Sequence, residues 1–234
     1  MLKLIMDDAS ISALVGEVGP LVSAITGWDL QLAGLRCRVL PKDHGYEEIV
    51  ESKMLALGFP FSPGRDIVTR TVEYLVENNF QAAYEPLTNE LMVVRENVDD
   101  SNLDGLKVVL GHELTHRGQH MAHPEIFEHI NRILSEMITG LETGSADLKK
   151  LRGYFEEVQP HMTLIESHAS YVQAILNQRY FPQAQIEHHS SLPALLFRVL
   201  GYGKVAQYTE GLPQVAAAMQ QGNVDGLFRK YVSD

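Results

Sequence analysis

Cysteine is almost missing from this chain: Cys37 is the only one in 234 residues. A lone thiol excludes an intrachain disulfide and a thiolate cage for zinc, and gives no sign of an oxidising compartment. Basic residues are scarce as well, 19 Lys and Arg against 30 Asp and Glu, for a formal net charge of -11. Gripping nucleic acid phosphates or anionic lipid takes clustered cations, and no basic run of that kind occurs. Neither nucleic acid nor a membrane is therefore expected as a partner. The N-terminal "MLKLIMDDAS" places Asp7 and Asp8 where a signal peptide would continue its apolar segment, and no uninterrupted apolar run approaches the ~20 residues of a membrane span. The expected location is the cytoplasm. Internal repeats, low-complexity tracts and long linkers are also lacking.

What is present suffices for a core. With 45% hydrophobic and 21% charged residues, a chain of this length can bury one domain, or two lobes sharing a cleft. Apolar residues recur mostly at helical spacing, as in 46–59 and 64–79, the latter with Ser62 and Pro63 where an N-cap and a first-turn proline belong. Two stretches read as extended: 35–41, where apolar residues alternate with Arg, and 80–96, two short strands around Pro86 to Asn89. Beyond residue 123 the pattern is helical throughout: 125–140, 145–158, 160–178, 191–200 and 203–221, broken by Gly and Pro. The expectation is a single α+β domain over 1–234. Residues 1–123 form an N-terminal lobe with a small mixed sheet, and 124–234 a helical C-terminal lobe.

At the junction lies "GHELTHRGQHMAH", residues 111–123, with four of the ten histidines. At about 100° per residue, with Leu103 at zero, Leu106, Leu110, Leu114 and Met121 fall within about 60° and form an apolar stripe. His112, His116 and His123 sit near about 180°, 220° and 200°, on the opposite side of the helix. A helix whose burying side needs no histidine leaves two readings for that face, a solvated surface or a metal site. The spacing favours the second. His112 and His116, at i and i+4, stack their imidazoles within reach of one ion, and Glu113 stands a quarter turn away, able to approach metal-bound water as a general base without competing for the metal. With 10 His and 19 Glu in the chain, a chance H-E-x-x-H is expected only about 0.03 times.

For a third ligand the residues alone leave two candidates, Glu166, on the border of the apolar stripe formed by Leu164, Ile165, Val172, Ile175 and Leu176, and His168. His168 also reads as a buried histidine bonded to a carbonyl, or as an oxyanion-stabilising group. Tyr208 reads as an oxyanion donor or as core packing. His120 and His123 read as lining the cleft or capping the helix before Pro124, and His188 and His189 as facing solvent.

"HELTH" on a helix preceded by the extended "ELMVVRE" resembles the zincin metallopeptidases. The metzincin extension does not fit, because its third histidine falls on Ala122. "HMTLIESHASYVQ" (161–173) and "KVAQYTEG" (204–211) are similar to the gluzincin type, and to a family of bacterial zincin-like proteins assigned no more than a hydrolase role. The resemblance covers roughly residues 80–230. It implies a zincin-like α+β fold and zinc held by His112, His116 and Glu166. It further implies Glu113 as the catalytic base, a peptide or protein substrate, and "ELMVVRE" as the edge strand beside the motif helix that pairs with an extended substrate. Ser170 stands where gluzincins carry an aspartate that orients a zinc histidine, which weakens that supporting contact. The function expected is a zinc-dependent metallohydrolase, a peptidase-type amide hydrolase; the alternatives are a zinc-stabilised protein-binding module without turnover and a metal-free helical scaffold.

Overall fold

Asp7 starts the first helix. Its carboxylate accepts the Ser10 N–H at 2.8 Å, satisfying one of the free donors of the first turn of α1, Asp8–Thr26. Ile11, Leu14, Val15, Val18 and Val22 recur at helical spacing and are buried, and Gly27 ends the helix in the left-handed conformation at φ 76°. The structure is a computed structural model and describes residues 6–41, 81–185 and 210–233. The helices expected over 46–59, 64–79 and 191–200, the first part of 203–221, and His188, His189 and Tyr208 lie outside the described residues. By length and mean hydropathy, 1.4, α1 is apolar enough to cross a membrane. Here its apolar stripe packs into the core cluster.

Three strands form one mixed sheet: β1, Arg36–Leu40; β2, Ala82–Glu85; and β3, Glu90–Val94. The order is β1-β3-β2. β1 runs parallel to β3, with Arg36 opposite Glu90 and Leu40 opposite Val94, and β2 runs antiparallel to β3, with Tyr84 opposite Leu91. This corrects one expectation. "ELMVVRE" is the central strand, paired on both sides, so it has no free edge to offer a substrate. All five residues of β3 are buried, as a strand covered on both faces requires. Among the described residues, the strand beside the motif helix that lies at an edge of the sheet is β2.

The remaining described elements are helical: α2, Leu103–Ala122; α3, Pro124–Glu142; α4, Leu148–Arg179; α5, Leu212–Gln220; and α6, Val224–Ser233. The chain is thus mostly helical with a small three-stranded mixed sheet, an α+β arrangement. α4 differs from expectation. The sequence pattern breaks at Pro160, yet one helix of 32 residues runs through it. An internal proline removes one helical hydrogen bond and costs about 3 kcal/mol. Packing on both sides of it offsets that cost. Val158, Met162, Leu164 and Ile165 lie in one apolar cluster with Trp28, α3, α5 and α6, and Val172 and Leu176 lie in a second with α1, the sheet and α2. α4 is therefore the element shared by both cores, and Glu166 lies between its two contributions.

Candidate metal centre

The motif helix α2 opens on Asn102, whose side chain accepts the Gly105 N–H at 3.0 Å. Leu106, Leu110 and Leu114 are buried as the apolar stripe requires. The opposite face is not solvated. His112, Glu113 and His116 are only 9%, 4% and 6% exposed, because β2 and α4 pack over them. From α4, Glu166, 6% exposed, enters the same space. His112 Nε2 and His116 Nε2 stand 3.1 Å apart, and each is 3.6 Å from a Glu166 carboxylate oxygen. These three residues offer ligand atoms all within 4.8 Å of one another.

Hydrogen bonds behind the rings decide what those atoms are. Gln119 Nε2 donates to the Ile165 carbonyl at 2.8 Å, an atom that only accepts, so Gln119 presents its oxygen to His116 Nδ1 at 2.9 Å. His116 Nδ1 is then the N–H donor, and its Nε2 carries a lone pair. Gln173 Oε1 stands in the same relation to His112 Nδ1, at 3.0 Å. Two imidazole lone pairs and a carboxylate thus converge on one buried space. A cation held tetrahedrally at about 2.0–2.1 Å places neighbouring donors about 3.3 Å apart. The observed separations of 3.1 and 3.6 Å bracket that spacing. The group His112, His116 and Glu166 can hold a metal ion.

Glu113 is brought beside this group but is not one of the three. Its Oε2 accepts the backbone N–H of Tyr84, from the outer edge of β2, at 2.9 Å. Burial pushes the Glu113 carboxyl up to about 7; the neighbouring Glu166 adds to the rise, while His116 and the Tyr84 N–H pull against it. A carboxyl poised there can accept a proton near neutrality. Arg117, the residue after the motif, holds the strand in place. Its Nε and Nη2 donate to the carbonyls of Leu30 and Gln31, each at 2.6 Å, its Nη1 donates to Asn89 Oδ1 in the β2–β3 turn, and its guanidinium lies 5.9 Å from the centre of the Tyr84 ring. Sequence reasoning passed over Arg117, Gln119 and Gln173. The signal for Gln119 and Gln173 was positional: three residues after His116, and seven after Glu166 on the same helix face.

His168, the rival ligand, is not in the cluster. It is fully buried, its Nδ1 receives the Gln119 amide at 3.1 Å, and its ring packs edge to face on Trp28 and Phe228. Burial pushes its pKa down to about 3, with His116 and His123 adding to the effect, so it is neutral at ordinary pH. His120 meets the Tyr84 hydroxyl at 2.9 Å, and His123 is the C-cap of α2, 3.3 Å from Asp225. A cavity of about 280 Å³ lies elsewhere along α4, lined by residues including Glu156, Thr163, Glu210 and Gln214, and contains none of the three ligands.

Comparisons with protein-family models, curated proteins and solved structures give no match to this chain. The functional reading therefore stands on the geometry of the site itself.

Proposed function

We propose that this is a zinc-dependent hydrolase of zincin-like fold, acting on an amide or peptide bond, with His112, His116 and Glu166 as the zinc ligands and Glu113 as the general base. The observation that carries the proposal is the convergence of two imidazole lone pairs and a carboxylate beside a buried acid that is not a ligand. A donor set of two nitrogens and one oxygen suits zinc, and three protein ligands leave a coordination position for water or substrate. At this site His112, His116 and Glu166 would hold zinc, which would supply a water of lowered pKa, about 7, and a Lewis acid for a carbonyl. Glu113 takes the proton of the attacking water and returns it to the leaving amine. The Tyr84 N–H keeps Oε2 in place, so the carboxylate does not swing to join the ligands. An extended peptide would pair with the outer edge of β2, an edge strand among the described residues, which faces Glu113 at Tyr84.

A second reading is a zinc-stabilised binding module without turnover. The low exposure of the ligands, 6 to 9%, favours it. Protein purified without a histidine tag or added metal, analysed for elements, tests the zinc assignment, and one zinc per chain is expected. Glu113→Gln should then keep the zinc and abolish hydrolysis of a peptide library. A zinc-loaded wild type that cleaves nothing supports the binding module, and a metal-free chain overturns both.

A further inference from the structure

We propose that Gln119 is a positioning residue which fixes His116 in the ligand form, and that His168 fixes Gln119 in turn; this rests on the metal reading above. A glutamine amide can flip, exchanging its acceptor for its donor, and a flipped Gln119 would turn an N–H toward His116 Nδ1. The ring would then carry its proton on Nε2, the atom aimed at the other two ligands. Two acceptors prevent the flip. The Ile165 carbonyl and His168 Nδ1 lie 2.8 and 3.1 Å from Gln119 Nε2, each taking one of the two amide protons. Only the oxygen remains for His116, at 2.9 Å.

The chain of contacts explains why two polar side chains are completely buried at this place. Gln119 and His168 are both 0% exposed. His168 Nδ1 acts as acceptor, so the ring proton sits on Nε2, an atom without a hydrogen-bond partner among the described residues. Its ring is wedged between Trp28 and Phe228, with centroids at 4.9 and 5.5 Å. An imidazole stranded in this way costs free energy, and Gln119 is the polar group it serves. The anchor on α4, Ile165, immediately precedes Glu166. One amide thus sets the proton position of a ligand on α2 and ties it to the backbone beside the ligand on α4. Gln173 gives His112 an acceptor of the same neutral kind. Both rings are oriented without adding a negative charge to a buried site that already holds Glu113 and Glu166.

The test compares Gln119→Met with Gln119→Glu, reading zinc affinity by competition with a chromophoric chelator, the visible spectrum of the cobalt-substituted protein, and the melting temperature of the metal-free form. Both variants lose the donor to Ile165, so both should melt lower. Only Met also loses the acceptor for His116 Nδ1. Zinc binding should weaken about 10- to 100-fold in Gln119→Met, with an altered cobalt spectrum, and stay within about threefold of wild type in Gln119→Glu. His168→Phe removes one of the two acceptors and should weaken zinc binding by a smaller factor of about 3 to 10. Equal weakening in Met and Glu would reduce Gln119 to a tie between helices, and unchanged affinity in the Met variant would remove its role altogether. Both results leave zinc binding by the wild type intact. Wild-type protein that takes up no zinc overturns the metal reading itself.

Discussion

Replacing Glu113 with Gln separates what this residue contributes to chemistry from what it costs the fold. In the metal-free protein its carboxyl is 4% exposed and titrates at about 7, against an ordinary value of 4.5. A folded pKa above the unfolded one means that the folded state holds the proton more tightly. The group therefore does not penalise folding below about pH 4.5, and the penalty grows as pH rises from there through about 7. At about 1.36 kcal/mol for each tenfold difference in proton affinity, the gap between 4.5 and about 7 is worth about 3 kcal/mol above neutrality. Glutamine carries no charge and keeps an oxygen for the Tyr84 N–H. Metal-stripped Glu113→Gln should thus be more stable than wild type by about 3 kcal/mol at pH 8, a rise in Tm of about 6–12 °C for a chain of this size. At pH 4.5 the difference should vanish. Calorimetric melts in chelator across that range read it directly. Equal melting at pH 8, or a gain that does not change with pH, would refute the assignment of a buried, ionising carboxyl.

Three further outcomes follow from the site. His112→Ala, His116→Ala and Glu166→Gln should each lower bound zinc to less than about a tenth of wild type by elemental analysis, while His168→Ala retains most of it; the Glu166 assignment fails if only the histidine at 168 matters. Arg117→Lys keeps the charge but cannot reach three acceptors at once from a compact ammonium, so it should destabilise by about 2–4 kcal/mol in urea unfolding, and an unchanged midpoint would remove Arg117 as the staple of the β2–β3 turn. Gly118→Ala would bring a Cβ within 2.9 Å of Leu30 and 3.3 Å of Trp28, and overpacking of that kind should cost about 1–3 kcal/mol, with an unaltered Tm as the contrary result.

The parts of this architecture that could be read from sequence are those with a local cause. Strand alternation at 35–41 and the turn around Pro86 to Asn89 anticipated β1, β2 and β3, because side-chain direction alternates residue by residue. The i, i+4 spacing of His112 and His116 anticipated rings that share one space, because a helix repeats every 3.6 residues. Strand order has no such local cause. That β3 lies in the centre depends on β1 returning parallel to it across 49 intervening residues, 41–89, most of them outside the described portion. The continuous buried run of β3 was the available hint, since a strand paired on both sides and covered on both faces does not alternate.

The fate of the polar face of α2 was the harder question, and its answer joins fold to site. A helix with one apolar stripe and a histidine-rich back is ordinarily half in water, yet α2 is buried from Gly105 to Gln119 with the exception of Lys107. What makes that burial tolerable is partner by partner satisfaction: Glu113 by the Tyr84 N–H, His112 by Gln173, His116 by Gln119, Arg117 by two carbonyls and Asn89. Each contact uses a residue distant in sequence or a side chain with no motif of its own, so none is visible until the chain is folded. The two Nε2 atoms and the Glu166 carboxylate, for their part, converge on one buried space from two helices. The contacts that make the burial of this helix tolerable thus also hold in place a group that could bind a cation.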